Sequence, residues 1–194
     1  MTDAPQPPTR PSRLRLRIAA VLIVVAALGL ALWRAELFTV AAPGERPRAL
    51  AALTEPMPTP VLDVMLPVVP VGMARVRPGG AALLVHYWAP WEQHSRAQIL
   101  ALDSLQSTLP RDSVRVVVVC LDPFPSVSRY VNRVKVRSAV HLDLRRELQA
   151  SLPCPSMPFT WLLDREGRVT VRQAGEVDWL APETRARLLD AARA

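Results

Sequence analysis

Cysteine is nearly absent from this 194-residue chain: there are two, Cys120 and Cys154, 34 positions apart. That excludes a disulfide-knit scaffold and any four-cysteine zinc site. Lysine is rarer still, with Lys135 alone. The formal charge of +7 therefore rests on arginine, and it is unevenly spread. Arg10, Arg13, Arg15 and Arg17 come before residue 18, and Arg34 is a fifth. From residue 35 onward 18 arginines and one lysine stand against 16 acids, a net of +3. The basicity is largely a local block. With no helix-turn-helix or RNA-binding signature, it argues against a nucleic-acid partner. Internal repeats are lacking too. The three histidines form no i, i+4 pair on one helix, so His86, His94 and His141 with Glu92 do not make a metal set. Neither a metal nor another cofactor is expected.

What the chain does have is apolar residues, half of the total, enough for a sizeable core. One block stands apart. Residues 18–33, IAAVLIVVAALGLALW, are uninterrupted. As a helix they span about 24 Å, a little short of the ~30 Å hydrocarbon core. Leu14 and Leu16 extend the surface, the arginines between them can snorkel, and Trp33 stands where an interfacial aromatic belongs. Four arginines precede the run, while Arg34 and Glu36 nearly cancel after it. The positive-inside rule then places the N-terminal tail, 1–17, in the cytoplasm and the remainder across the membrane. An uncleaved signal anchor is preferred over a cleaved signal peptide, whose apolar core is usually shorter. Cleavage near Thr39-Val40-Ala41 stays open. No cysteine lies near the end of the run, which excludes a lipid-modified lipoprotein.

Twelve of the 20 prolines fall within residues 1–78. Residues 41–60 read as a stiff extended spacer. Residues 61–80, broken by Pro67 and Pro70, read as irregular or edge-strand structure packed on the domain. Together 34–80 form a linker and packing segment, and 81–194 form the domain. Its pattern is regular: strands at 82–88, 114–121 and 139–143, and helices at 93–109, 125–134 and 143–151. Two strands around Arg165-Glu166-Gly167 follow, then a closing helix over 182–194. Ile99, Leu102, Leu105 and Leu109 make the stripe of the first helix, Ser126 is a candidate N-cap for the second, and Pro182 opens the last. This alternation, ending in a hairpin and a helix, predicts an α/β fold with helices flanking one mixed sheet.

Two segments carry chemistry. The first is Leu84-Val85-His86-Tyr87-Trp88-Ala89-Pro90-Trp91, followed by Glu92-Gln93-His94-Ser95 and Arg96. The second is Pro158-Phe159-Thr160-Trp161-Leu162-Leu163-Asp164, followed by the turn DREGRV. In order and spacing these resemble the thioredoxin fold, and within it the membrane-anchored, periplasmic TlpA/ResA-type thiol-disulfide oxidoreductases. That family reads Trp-Ala-Thr-Trp-Cys-x-x-Cys-Arg at the first segment and places a cis-proline at the second. The resemblance covers about residues 81–194; the family's N-terminal hairpin is hard to see in 61–80.

The resemblance places Glu92 at the nucleophilic cysteine and Ser95 at the resolving one. Glu92 keeps a negative charge at a helix N-terminus but cannot attack a disulfide, and Ser95 is redox-silent. The degenerate site Glu92, Gln93, His94, Ser95 is thus expected to have no catalytic residue. His94 and Ser95 also fail as a base–nucleophile pair, since adjacent helical residues point apart. What remains is a binding platform: Trp88, Trp91, His94, Met157, Pro158 and Phe159, with Trp88 and Trp91 partly exposed in the family and the proline loop able to hold a backbone. Trp161 is expected in the core. Cys120 and Cys154 fall at the same edge, either as a disulfide or as a buried residue and an unpaired loop thiol.

Two functions are in play. One is a non-catalytic thioredoxin-like scaffold, anchored in a bacterial inner membrane, that docks on a membrane or periplasmic protein complex. The other is an oxidoreductase with displaced cysteines, of the cytochrome c maturation kind.

Overall fold

A computed structural model of the chain describes residues 46–58, 61–110 and 112–194. The expected tail, the apolar run 18–33 and the first part of the linker lie outside these residues. Among the described residues no helix is long and apolar enough to cross a membrane.

The sheet is built around β3 (Ala82–Trp88), whose seven residues are all buried. Such a run is the mark of a strand covered on both faces. It pairs in parallel with β4 (Val114–Cys120), which pairs in parallel with β5 (Val140–Leu142). On its other side β3 pairs antiparallel with β6 (Phe159–Leu163), and β6 with β7 (Val169–Ala174). β1 (Val64–Val69) and β2 (Met73–Val76) complete the order β2-β1-β5-β4-β3-β6-β7. The period-2 alternation of β3 divides the core. Ala82, Leu84 and Trp88 face α1 (Ser95–Thr108), α2 (Phe124–Val134) and α4 (Pro182–Ala191). Leu83, Val85 and Tyr87 face the short α3 (Glu147–Ser151) and the chain that follows it. The expected mixed sheet with flanking helices is the observed one.

Residues 64–76 take the edge-strand alternative, as two strands with β2 at the edge of the sheet. Despite Pro67 they form an antiparallel hairpin, with Val64 opposite Val76 and Pro67 opposite Met73. The Val68 N–H turns toward β2 and donates to Gly72 O at 3.0 Å. N–H directions alternate along a strand, so Pro67 has its missing donor on the β5 side. The β1–β5 register, Val68 opposite His141, would bring Pro67 to Leu142, and the ladder stops one residue earlier. The proline ends a pairing without breaking the strand. Residues 46–58, expected as spacer, lie along β7. Met57 and Val169 exchange backbone bonds of 2.9 and 2.7 Å, the Leu53 N–H donates to Thr170 O at 2.8 Å, and Leu50 is buried. An edge strand is thereby covered.

Local signals explain most element ends. α2 is preceded by Pro123 rather than capped by Ser126, whose hydroxyl donates back to Pro123 O from inside the first turn. α3 starts four residues later than expected. The buried Asp143 carboxylate accepts from the N–H groups of Glu147 (2.8 Å) and Gln149 (2.9 Å), and so takes the capping role. In the β6–β7 turn, Gly167 has φ of +84°, and the Pro78 Cβ lies 2.9 Å from where a side chain would begin; only glycine fits there without strain.

His86, on the three-helix face of β3, is fully buried. Its Nδ1 lies 3.0 Å from Thr160 Oγ1, and its ring meets Trp179 edge-on at 5.2 Å. Burial pushes its pKa down to about 3, so the folded protein holds it neutral where an unfolded chain, with a pKa of about 6.5, takes up a proton. Its contribution is constant above about pH 6.5. Stability then falls as pH drops toward 3, by up to about 1.4 kcal/mol per pH unit. Urea unfolding across this range should show that slope in the wild type and a correspondingly flatter one in His86→Phe.

Candidate functional site

The register of β3 assembles the site. Its last residue, Trp88, stands opposite Cys120, the last of β4, and Cys120 opposite Leu142, the last of β5. On the other side Tyr87 faces Phe159, which brings Pro158 alongside the end of β3. Phe159 faces Ala174, and the next N–H, of Gly175, donates to Pro158 O at 2.9 Å. The carboxyl ends of the parallel strands, the Pro158 loop and the segment after β7 thus share one edge. That is where α/β sheets generally carry their ligands. The Met157–Pro158 peptide is cis.

The turn from β3 into α1 occupies this edge. The Glu92 N–H donates to Ala89 O at 3.2 Å, and both Glu92 carboxylate oxygens lie 3.0 Å from the His94 N–H. Glu92 accepts a backbone donor just ahead of α1, where negative charge is favoured by the helix dipole. The same imidazole bridges to a distant acid: His94 Nδ1 is 2.8 Å from Glu176 Oε1 and 3.4 Å from Glu92 Oε1. Gln93 Nε2 lies 3.0 Å from His94 Nε2. Glu92 and Glu176 are mostly buried, at 13% and 19% side-chain exposure, against 46% for His94. The result is a carboxylate–imidazole–carboxylate cluster with one open side.

Gln98 locks the segment after β7 to α1. It is buried. Its Nε2 donates to Val177 O at 3.1 Å, and its Oε1 accepts from the Val177 N–H at 3.1 Å and from Trp179 Nε1 at 2.8 Å. Glu176, one residue earlier, is held in reach of His94. Sequence reasoning missed both residues. Glu176 gives no local signal, but Gln98 does: it lies four residues before Leu102 on the apolar stripe of α1, a polar side chain at a core position.

The six expected platform residues do not all reach the surface. Trp88 is fully buried, its ring 5.1 Å from Tyr130, and therefore belongs to the core and not to a groove. The reason is parity, since residue 88 falls on the three-helix face. Pro158 and Phe159 are buried as well, Phe159 against Trp161 on the opposite face at 5.5 Å. Met157 is half-buried, His94 is exposed, and Trp91 is 66% exposed. Ser95 opens α1. Trp161 is in the core as expected, donating from Nε1 to Pro153 O at 3.1 Å.

The cysteines are not paired. Cys120 packs with the three-helix face, Cys154 against the other; the disulfide considered from sequence would have to cross the sheet. Burial pushes each thiol up to about 12, although Arg146 pulls Cys154 the other way. Both stay protonated at neutral pH, and only a thiolate attacks a disulfide. The other histidines go elsewhere: His86 to Thr160, and His141 Nδ1 to within 3.2 Å of Val118 O. Among the described residues no three His, Cys, Asp or Glu side chains converge as metal ligands.

No protein-family model and no curated sequence matches the chain. Solved structures do. A Chlorobium tepidum chain assigned as thiol:disulfide interchange protein DsbE superposes with a TM-score of 0.62 at 21% identity, over 72% of this chain and 99% of that one. StoA from Bacillus subtilis gives 0.57 at 19%, over 69% and 98%. A thiol-disulfide isomerase from Corynebacterium glutamicum gives 0.56 at 15%, over 68% and 96%. The fold is thioredoxin-like. It is structurally similar to the thiol-disulfide oxidoreductases of the TlpA/ResA/DsbE type, and at these identities the likeness is one of fold.

Removing the Gln98 clamp should loosen the site from beneath. Gln98→Leu strands the Val177 amide groups and Trp179 Nε1 in the core, a cost of about 3 kcal/mol or more. Chemical denaturation should show that loss, whereas Gln93→Leu, on the exposed neighbour, should stay within about 0.5 kcal/mol of wild type.

Proposed function

We propose that the protein is a non-catalytic, membrane-anchored thioredoxin-like binding module. It presents the β3–α1 turn to a protein partner on the periplasmic side of a bacterial inner membrane, as an accessory subunit of a larger assembly. The observation that carries this reading is Glu92: a carboxylate tied to the His94 backbone stands just ahead of α1, at the position where the family resemblance places the nucleophilic cysteine. The turn keeps its shape and its negative charge and has no group that can exchange a disulfide. The two thiols that remain are protonated, unpaired and on opposite faces, so nothing favours displaced dithiol chemistry over binding.

Trp91 supplies the other half of the case. A two-thirds exposed tryptophan beside a charged cluster is the kind of aromatic anchor that dominates protein interfaces. The cluster beside it, Glu92, His94 and Glu176, suits a partner surface with basic or hydrogen-bond-donating groups. Anchoring rests on the apolar run 18–33 with arginines before it, and orientation on their asymmetry.

The test starts with full-length protein purified from native membranes in mild detergent, and identification of what travels with it. Against that partner, Trp91→Ala should weaken binding by about 2 kcal/mol, roughly 30-fold in Kd. Cys120→Ser should leave Kd unchanged. An unaltered Kd for Trp91→Ala would place the interface away from this turn and refute the proposed role.

A further inference from the structure

Between Asp122 and Asp143 twenty residues pass without an acid, and they carry Arg129, Arg133, Lys135 and Arg137. Elsewhere from residue 35 onward the chain holds 15 cations against 16 acids, so the positive excess of that part comes entirely from this stretch, α2 and the turn into β5. All four cations are exposed. Among the described residues none of the four has an ion-pair partner. We propose that this face of α2 rests on a bilayer surface of anionic lipid headgroups.

The cations are held on a fixed frame. Val127, Val131 and Val134 are buried beneath α2, which sets the rotation of the helix. Arg129 and Arg133, four residues apart, share a face of it, away from the valines. The Arg129 Nε donates to Pro125 O at 3.0 Å. Lys135 closes the helix with φ of +64°, and its N–H donates to Val131 O at 2.9 Å. The N–H groups of Arg137 and Ser138 then donate to the Asp103 carboxylate on α1, at 2.8 and 3.0 Å. Even with Asp103 counted against the four cations, the stretch stays positive. Because the valine stripe lies inside the core, α2 has no apolar side to insert between lipids. The contact is one of charge, and salt screens it.

The tether selects a lipid surface over other acidic partners, and in this the inference rests on the anchored reading above. Residues 34–45 separate the apolar run from Arg46, the first described residue. Twelve residues reach about 40 Å at full extension. With residues 18–33 embedded, the domain stays within that distance of a bilayer, which it meets at high effective concentration. Each Lys or Arg held near an anionic leaflet strengthens the contact roughly fivefold. Four such groups on one short stretch are then enough to orient a domain that is already tethered. A soluble acidic protein has no such advantage and would have to be captured from solution.

The test places the full-length chain in nanodiscs of phosphatidylcholine alone and of phosphatidylcholine mixed equally with phosphatidylglycerol. Arginine reactivity toward phenylglyoxal is then mapped by peptide mass spectrometry. In the anionic discs Arg129, Arg133 and Arg137 should react at least roughly fivefold more slowly than in the neutral ones. Arg145, whose side chain is 87% exposed ahead of α3, should react alike in both. Raising the salt from about 0.15 to 1 M shortens the screening length from about 8 to 3 Å and should restore the rates. The exposed double variant Arg129→Gln/Arg133→Gln should free Arg137 in the anionic discs. The same samples check the anchor separately: chain retained by neutral discs in 1 M salt is held by its apolar run. If neutral discs lose the chain, the anchored reading fails, and the free chain becomes the reference rate for the anionic discs. Equal reactivity of the three arginines with and without anionic lipid, or protection that survives 1 M salt, would overturn the lipid face. Protection found in native membranes but in neither disc would give the patch to an acidic protein and overturn it equally.

Discussion

Strand β3 is hydrogen-bonded on both sides along its length, parallel to β4 and antiparallel to β6, and the position of every group at the site follows from that double register. It sets Trp88 beside Cys120 and the Pro158 loop beside the end of β3. Through the Phe159–Ala174 pair it also sets Gly175 beside Pro158. A slip of one residue would reverse the two faces of β3. Trp88 and His86 would then leave the three-helix core, and the turn carrying Glu92 would no longer meet Glu176. Burial of all seven β3 residues makes such a slip prohibitively costly, and the stability of the core is thereby turned into precision at the edge.

On that frame we propose a site that works through charge and hydrogen bonding. The start of α1 favours negative charge, and similar folds can use that field to lower the pKa of a thiol. Here Glu92 sits in the same field. Its carboxylate accepts the His94 N–H, and the imidazole reaches across to Glu176. The Gln98 clamp makes the second contact possible. Charge, hydrogen bonding and the exposed ring of Trp91 then meet on one open face. The remaining sulfur atoms are placed otherwise: Cys120 is sealed beneath the three helices, while Cys154 lies beside Met157 in the proline-braced loop.

Much of this was legible in the amino-acid order. The mainly apolar strands at 82–88 and 114–121, the stripe on α1 and the turn DREGRV predict a mixed sheet with flanking helices, which is the fold observed. Trp88 was misplaced at the surface because local resemblance was read in preference to parity. Counting by twos from Ala82 and Leu84 puts residue 88 in the core. The hairpin at 64–76 was obscured by Pro67 and Pro70, although Leu66 and Val69 turn inward there. The Cys120–Cys154 pairing had the right edge and the wrong faces, a distinction that needs the register of β4. Glu176 lies 82 positions from His94, and only the folded sheet joins them.

The central claim is that the β3–α1 turn retains the geometry of a dithiol site while lacking its sulfur. The most direct measurement is insulin disulfide reduction by the wild-type chain beside the double variant Glu92→Cys/Ser95→Cys. No turnover by wild type, with turnover and a reversible Cys–Cys bond in the variant, is the predicted result. Catalytic reduction by the wild-type protein would contradict the account.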